Sequence, residues 1–133
     1  MRNTSPLLTV QLPTAPDAIA PDGSEIRLLP RPQSGVASLV HCRLPSGATA
    51  KAVSHRTVEE VWYVVAGNGE LWRRYGTIEE VTALRPRVSV NIPLGTRFQF
   101  RATGDEDLEI VIATFPPWPE AAEAMPTTGR WPS

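Results

Sequence analysis

The stretch SHRTVEEVWYVVAGNG, residues 54–69, carries the strongest fold signal in this sequence. His55 precedes Glu60 by five residues, and a run of β-branched and aromatic residues then ends in Gly-Asn-Gly. Side chains alternate between the two faces of a β-strand, so Glu60, Trp62 and Val64 should share one face. Gly and Asn tolerate positive φ, which predicts a tight hairpin at the end of the run. The pattern therefore predicts a strand whose inward face carries a carboxylate.

Similar short runs recur along the chain, while helix signals are nearly absent. They are rich in β-branched or aromatic residues, and Pro, Gly, Asn or Asp punctuates most of the gaps between them. They read SEIRLLP, ASLVHCRL, EVWYVVA, GELWRRY, EEVTALR, VSVNIP, TRFQFRA and LEIVIATF. Strands at this spacing, without intervening helices, favour an antiparallel sandwich or barrel. We predict an all-β fold with at most one short helix, at PEAAEAM (119–125), which begins with Pro and has Pro126 just beyond it.

A chain of 133 residues is long enough for one domain with its own hydrophobic core. We expect an N-terminal arm with the first strands at 1–35 and a barrel at 36–115. A tail rich in Pro and Trp, at 116–133, should pack on that barrel.

The composition excludes several classes of partner and location. The formal net charge is −1, and the twelve arginines are scattered, which argues against a nucleic-acid or anionic-membrane surface. A single cysteine, Cys42, excludes a disulfide framework. The N-terminus has no apolar segment typical of a signal peptide, and the run VWYVVAG is too short to cross a bilayer. We therefore expect a cytoplasmic protein.

Two blocks of spaced residues carry a family resemblance. In the first, Gly47 is followed by five residues, Val53, one residue, His55, four residues, Glu60, six residues and Gly67. This resembles the first motif of the cupins, which reads Gly, five residues, His-x-His, three or four residues, Glu, six residues, Gly. Every spacing fits, and Val53 stands where the motif has its first histidine.

The second block resembles the second cupin motif: Gly, five residues, Pro-x-Gly, two residues, His, three residues, Asn. The corresponding positions here hold Arg87, Pro93, Gly95, Phe98 and Ala102, so only the Pro-x-Gly turn survives. The stretch between the motifs is short, as in compact bacterial members. The chain therefore resembles a small single-domain bacterial cupin of the conserved-barrel family. The resemblance implies a double-stranded β-helix, or jelly roll, and a homodimer.

The resemblance also implies a metal site in which most of the ligands are replaced. Metal-binding cupins use three histidines and one glutamate, and only His55 and Glu60 match. Two protein ligands rarely hold a divalent ion tightly, so we expect no cofactor beyond a weakly held divalent metal on this pair. The other histidine, His41, should point away from the site, because Val40 and Cys42 form the apolar face of its strand.

The centre of the barrel should be apolar, because Val53 and Phe98 occupy the positions of two lost ligands. One interpretation is a barrel filled by its own side chains, with the His-Glu pair satisfying itself. The other is an apolar pocket with a few convergent polar groups, as in small-molecule sites. In that case Lys51, Val53, Trp62, Arg97 and Phe98 are the candidate substrate-binding residues.

Two main functions remain open, with a third conditional on a metal. The first is an enzyme of the isomerase, epimerase, lyase or cyclase type, in which His55 and Glu60 perform metal-independent acid–base chemistry on a small molecule. The second is a non-catalytic module that binds or senses a small molecule. A metal-dependent cupin enzyme using the same two residues is the third.

Overall fold

The computed structural model describes residues 5–118 and 123–133. Eleven strands are described: β1 (Ala18–Ile19), β2 (Glu25–Leu28), β3 (Ser38–Leu44), β4 (Val53–His55), β5 (Glu59–Ala66), β6 (Gly69–Tyr75), β7 (Ile78–Leu84), β8 (Ser89–Ile92), β9 (Arg97–Ala102), β10 (Leu108–Phe115) and β11 (Ala124–Pro126). Each of the eight runs recognised in the sequence contributes one of these strands. The all-β prediction is confirmed.

The strands form two antiparallel sheets that enclose one core. The six-stranded sheet has the order β1-β2-β3-β10-β5-β8, and the five-stranded sheet has the order β11-β4-β9-β6-β7. This is the two-sheet jelly roll that the family resemblance implies. Strands β4 and β5 follow one another in the chain, yet they belong to opposite sheets.

Alternation along the strands builds the core. In β5 every second residue, from Glu60 to Val64, is buried, and the residues between them are exposed. The same period in β9 buries Phe98 and Phe100 against Trp62, whose ring meets both phenyl rings edge-on. Glu60 and Trp62 therefore lie on the face of β5 that packs against the core, as the sequence predicts.

Three glycines of the family motifs lie in turns between strands, as expected. Gly47, Gly67 and Gly95 all have positive φ, which L side chains rarely adopt. At Gly67 a Cβ would also lie 2.3 Å from the Asp107 carbonyl oxygen, so no side chain fits there. Arg87, where the second motif has glycine, keeps a positive φ of 77° despite its side chain. Arg87 therefore has a left-handed backbone conformation that glycine adopts more easily.

The C-terminal tail packs over the five-stranded sheet. Of the predicted helix at 119–125, residues 119–122 lie outside the described ranges. Ala124 and Met125 lie in β11, which pairs with β4, so the helix prediction is wrong there. The open edge of β4 explains the difference, because its backbone groups gain partners from the tail. Further along, the Gln99 side chain donates to the Trp131 carbonyl and accepts from the Arg130 and Trp131 amides.

Within residues 5–118 and 123–133, no helix has the length and hydrophobicity of a transmembrane span.

Candidate functional site

His55 and Glu60 meet inside the barrel, one from each sheet. The His55 Nε2 atom lies 3.3 Å from the Glu60 Oε2 atom, and their side chains are only 7% and 6% exposed. The other Glu60 oxygen, Oε1, accepts a hydrogen bond of 2.8 Å from the Trp62 indole nitrogen. The imidazole ring stacks on Phe98 at 5.5 Å between ring centres. The pair that the sequence singled out therefore exists, although its two strands are not neighbours in a sheet.

Burial changes the protonation of both groups. It raises the pKa of Glu60 to about 7, and the nearby Asp22 and Glu123 carboxyl groups act in the same direction, while the Trp62 hydrogen bond opposes them. Burial lowers the pKa of His55 from its ordinary value of 6.5, and Glu123 partly opposes that change. At neutral pH the imidazole is therefore mostly neutral, while the glutamate is divided between its two protonation states.

The pair lies on the wall of a small cavity between the sheets. Aliphatic side chains and the aromatic rings of Trp62, Phe98, Phe100 and Trp118 form most of the lining, and Asp22, Ser24 and Cys42 add polar atoms. Burial raises the pKa of the Cys42 thiol, which keeps the sulfur protonated. The volume of about 30 Å³ accommodates water, whereas a ligand the size of benzene occupies a cavity of roughly 150 Å³. A larger ligand would need the covering residues to move.

Two carboxylates at this site were missed by sequence reasoning. Asp22 lies in the turn between β1 and β2, where its Oδ1 accepts from the Ser24 amide and hydroxyl at 2.9 and 2.6 Å. The Lys51 amide donates to the Asp22 carbonyl and fixes this turn against the barrel. Burial raises the pKa of Asp22, partly offset by its bonds to Ser24. The Asp-x-Ser sequence signals a local turn, but it gives no sign of a long-range approach to Glu60.

Glu123 is the second missed carboxylate, and it comes from the tail. Its side chain is 4% exposed, and its Oε1 lies 3.8 Å from the His55 Nδ1 atom. Burial alone would raise the pKa of Glu123, but hydrogen bonds from Thr57 and Val58, together with His55, lower it. No local pattern around Glu123 predicts this contact, since residues 56–58 and the tail are far apart in sequence.

The remaining candidate residues divide into two groups. Val53, Trp62 and Phe98 line the cavity beside the pair. Lys51 and Arg97 are exposed and do not line the cavity. Lys51 precedes the first residue of β4, so strand alternation does not apply to it, and Arg97 neighbours the inward Phe98 and therefore points outward.

The second histidine lies outside the cavity, as expected. His41 is buried on the other side of the six-stranded sheet, where its Nε2 atom lies 2.8 Å from Glu109 Oε1. Each of the two histidines therefore has its own carboxylate neighbours.

Comparison with known proteins agrees with this geometry. A profile of the cupin domain matches residues 40–114, which is more than half of the chain. The chain belongs to the cupin family.

Three solved structures illustrate how far this cupin resembles others. KdgF from Halomonas sp. shares 20% identity at a TM-score of 0.61, over 71% of this chain and 81% of that one. Oxalate decarboxylase from Bacillus subtilis shares 16% sequence identity at a TM-score of 0.69, over 77% of this chain and 28% of that one. The Cnp3 cupin domain from Schizosaccharomyces pombe shares 11% sequence identity at a TM-score of 0.61, over 70% of this chain and 64% of that one. This chain therefore spans just under two thirds of the length of that domain. These identities show a common fold and no more. Comparison with curated protein sequences gives no match.

The residues at the family's metal position do not fit the family's metal. Val53 and Phe98 replace two histidines with side chains that offer no lone pair, and both line the cavity. At the four ligand positions of the family motifs, only the His55 imidazole and the Glu60 carboxyl group can still donate to a metal. Across residues 5–118 and 123–133, no three His, Cys, Asp or Glu side chains form a group that could hold an ion. The groups at this site that can do chemistry are therefore the protein's own proton-transfer groups.

Proposed function

We propose that this cupin binds a small molecule at its internal cavity once the residues that cover the cavity move, and that it catalyses a metal-independent acid–base reaction of the isomerase, epimerase, lyase or cyclase type. His55 takes or gives the proton, and Glu60 orients the imidazole from 3.3 Å away. The observation that carries this proposal is a small cavity between the sheets with a buried imidazole and a buried carboxyl group close together on its wall.

The protonation states of the pair favour proton transfer near neutral pH. A general base works best when its pKa lies near the working pH. A neutral His55 can accept a proton. Because the pKa of Glu60 is about 7, this carboxyl group can lose a proton when the imidazole gains one, and the total charge of the pair then stays the same. Two titratable groups whose environments move their pKa values in opposite directions are a recurrent feature of acid–base sites.

The lining indicates the polarity of the substrate. Its described residues include the carboxyl groups of Asp22 and Glu60 but no lysine or arginine. An anionic substrate would find no lysine or arginine there to compensate its charge, and an uncompensated charge is costly in a cavity of low dielectric. Aromatic walls suit a compact and mostly apolar body. We therefore propose a small neutral compound with a carbonyl or hydroxyl group.

Deuterium exchange tests the proposed reaction on many candidate substrates at once. The protein is incubated in D₂O with a panel of small neutral hydroxycarbonyl compounds, and deuterium at the carbon next to the carbonyl is measured by mass spectrometry. Enzyme-dependent exchange should appear for at least one compound. His55→Ala should reduce its rate by about 10²- to 10⁴-fold, and Glu60→Gln should reduce it less.

The same panel distinguishes the alternative function. If ligands shift the indole signals of Trp62 or Trp118 in NMR spectra but no compound exchanges deuterium, the cupin is a binding module and the catalytic proposal fails. The proposed homodimer and cytoplasmic location stay predictions. Light scattering coupled to size-exclusion chromatography measures the first.

A further inference from the structure

Glu123 reaches the site from a part of the chain outside the matched cupin domain. Strand β11 adds to the open edge of β4 and places Ala124 opposite His55. The Glu123 carbonyl accepts from the Arg56 amide at 3.1 Å, which fixes the tail at the start of the connection between β4 and β5. The tail is thus anchored directly beside the histidine.

The Glu123 carboxylate is held rigidly in its charged form. Its Oε1 atom accepts from the amides of Thr57 and Val58, and its Oε2 atom accepts from the Thr57 hydroxyl at 2.9 Å. Backbone amides that converge on a carboxylate favour its ionised form. We call these three hydrogen bonds to Thr57 and Val58 a structural clamp. If they were the only contacts of the carboxylate, Glu123 would have a purely structural role, which is to hold the tail on the barrel.

The position of the imidazole indicates more than a clamp. The His55 Nδ1 atom is buried and has no hydrogen-bond partner among the described residues. The nearest carboxylate oxygen on that side is Glu123 Oε1 at 3.8 Å, too long for a hydrogen bond but close enough for a strong electrostatic contact in a buried site. Glu60 lies on the opposite, Nε2 side of the ring. The imidazole is therefore placed between two carboxyl groups from different elements.

We propose that Glu123 is a positioning residue for His55, and that docking of the C-terminal tail completes the acid–base site. When His55 accepts a proton, the fixed negative charge beside Nδ1 stabilises the imidazolium. This inference rests on the proposed function, because it assigns His55 a proton-transfer role, but the contact itself can be measured without turnover.

The chain offers a matched control, because it contains two histidines with separate carboxylate neighbours. Glu123→Gln keeps an oxygen that can accept from the Thr57 and Val58 amides while it removes the charge. Glu109→Gln makes the same change beside His41, outside the cavity. Imidazole NMR signals of both histidines are followed against pH in the parent and in each variant.

Glu123→Gln should lower the pKa of His55, and Glu109→Gln should leave the pKa of His55 unchanged. If Glu123→Gln folds and the His55 titration does not move, Glu123 is only a structural clamp and the inference is refuted. Should that variant not fold, His55→Gln gives the reciprocal test. The pKa of the Glu123 carboxyl group, followed by carbon-13 NMR, should rise when the histidine is removed, and an unchanged value refutes the inference equally.

Activity data separate this inference from the proposed function. With a substrate in hand, the acid limb of the pH profile of kcat/KM should move to lower pH in Glu123→Gln, together with the His55 titration. A His55 that couples to Glu123 in an inactive protein would refute the catalytic proposal and leave the contact standing.

Discussion

Replacing Glu60 with glutamine should stabilise the folded protein at alkaline pH and have little effect in acid. The reason is that burial in the folded state raises the pKa of Glu60 to about 7, compared with 4.5 in the unfolded chain, and so favours the protonated form. Between these values the folded state binds more protons than the unfolded state, so the contribution of Glu60 to stability falls as pH rises. That contribution is fully present below pH 4.5 and is lost above the folded pKa.

The size of the effect follows from the same pKa values. At about 1.4 kcal/mol per pKa unit, the ionised Glu60 should lower the free energy of unfolding by roughly 3 kcal/mol at pH 8.5 compared with pH 4. Glutamine keeps the acceptor for the Trp62 indole nitrogen and has no charge to desolvate. Urea denaturation at pH 4, 5, 7 and 8.5 should therefore show a difference between variant and parent that grows towards this value as pH rises.

The control is Glu59→Gln, which removes a charge from the exposed side of the same strand. That variant should not reproduce a gain that grows with pH. A Glu60→Gln difference that is equal at pH 4 and pH 8.5 would refute the reasoning, because it would mean that the Glu60 carboxyl ionises in the folded protein as readily as in water.

Two further variants test the turns and the lost metal ligands. Arg87→Gly should raise the free energy of unfolding by about 0.5–1 kcal/mol, because relief of a positive φ outweighs the added flexibility of the unfolded chain, whereas Arg85→Gly, where φ is negative, should lower it. Chemical denaturation decides this, and a loss of stability in Arg87→Gly would contradict it. Val53→His/Phe98→His restores histidine at two positions that pair directly between β4 and β9 and both face the cavity. Elemental analysis after dialysis against a mild chelator should show more bound divalent metal than in the parent, and an unchanged metal content would mean that the cavity no longer has the family's ligand geometry.

The sequence predicted the barrel and the central pair because both depend on local pattern. Period-two alternation in β5 and β9 places Glu60, Trp62 and Phe98 on the inward face, and burial of apolar area enforces that choice across the whole strand. Motif spacing then placed His55 opposite Glu60. Alternation could not show that the two strands belong to different sheets.

The carboxylates around the pair could not be predicted in this way. Asp22 and Glu123 reach the site through a turn and a tail strand whose positions depend on packing against the finished barrel. Lys51 and Arg97 were predicted to bind the substrate, but Lys51 lies before β4 begins and the Arg97 side chain points outward from β9. Because side chains alternate between the two faces of a strand, a charged residue next to an inward residue points to the outer face.

The proposed acid–base site depends on a buried pair that exchanges protons near neutral pH. A carbon-13 NMR titration of the glutamate side-chain carboxyl groups, with the Glu60 signal assigned by its absence from Glu60→Gln, measures this directly. We predict that the Glu60 carboxyl group titrates near pH 7, well above the ordinary glutamate value of 4.5. A Glu60 signal that titrates close to pH 4.5 would contradict this acid–base site.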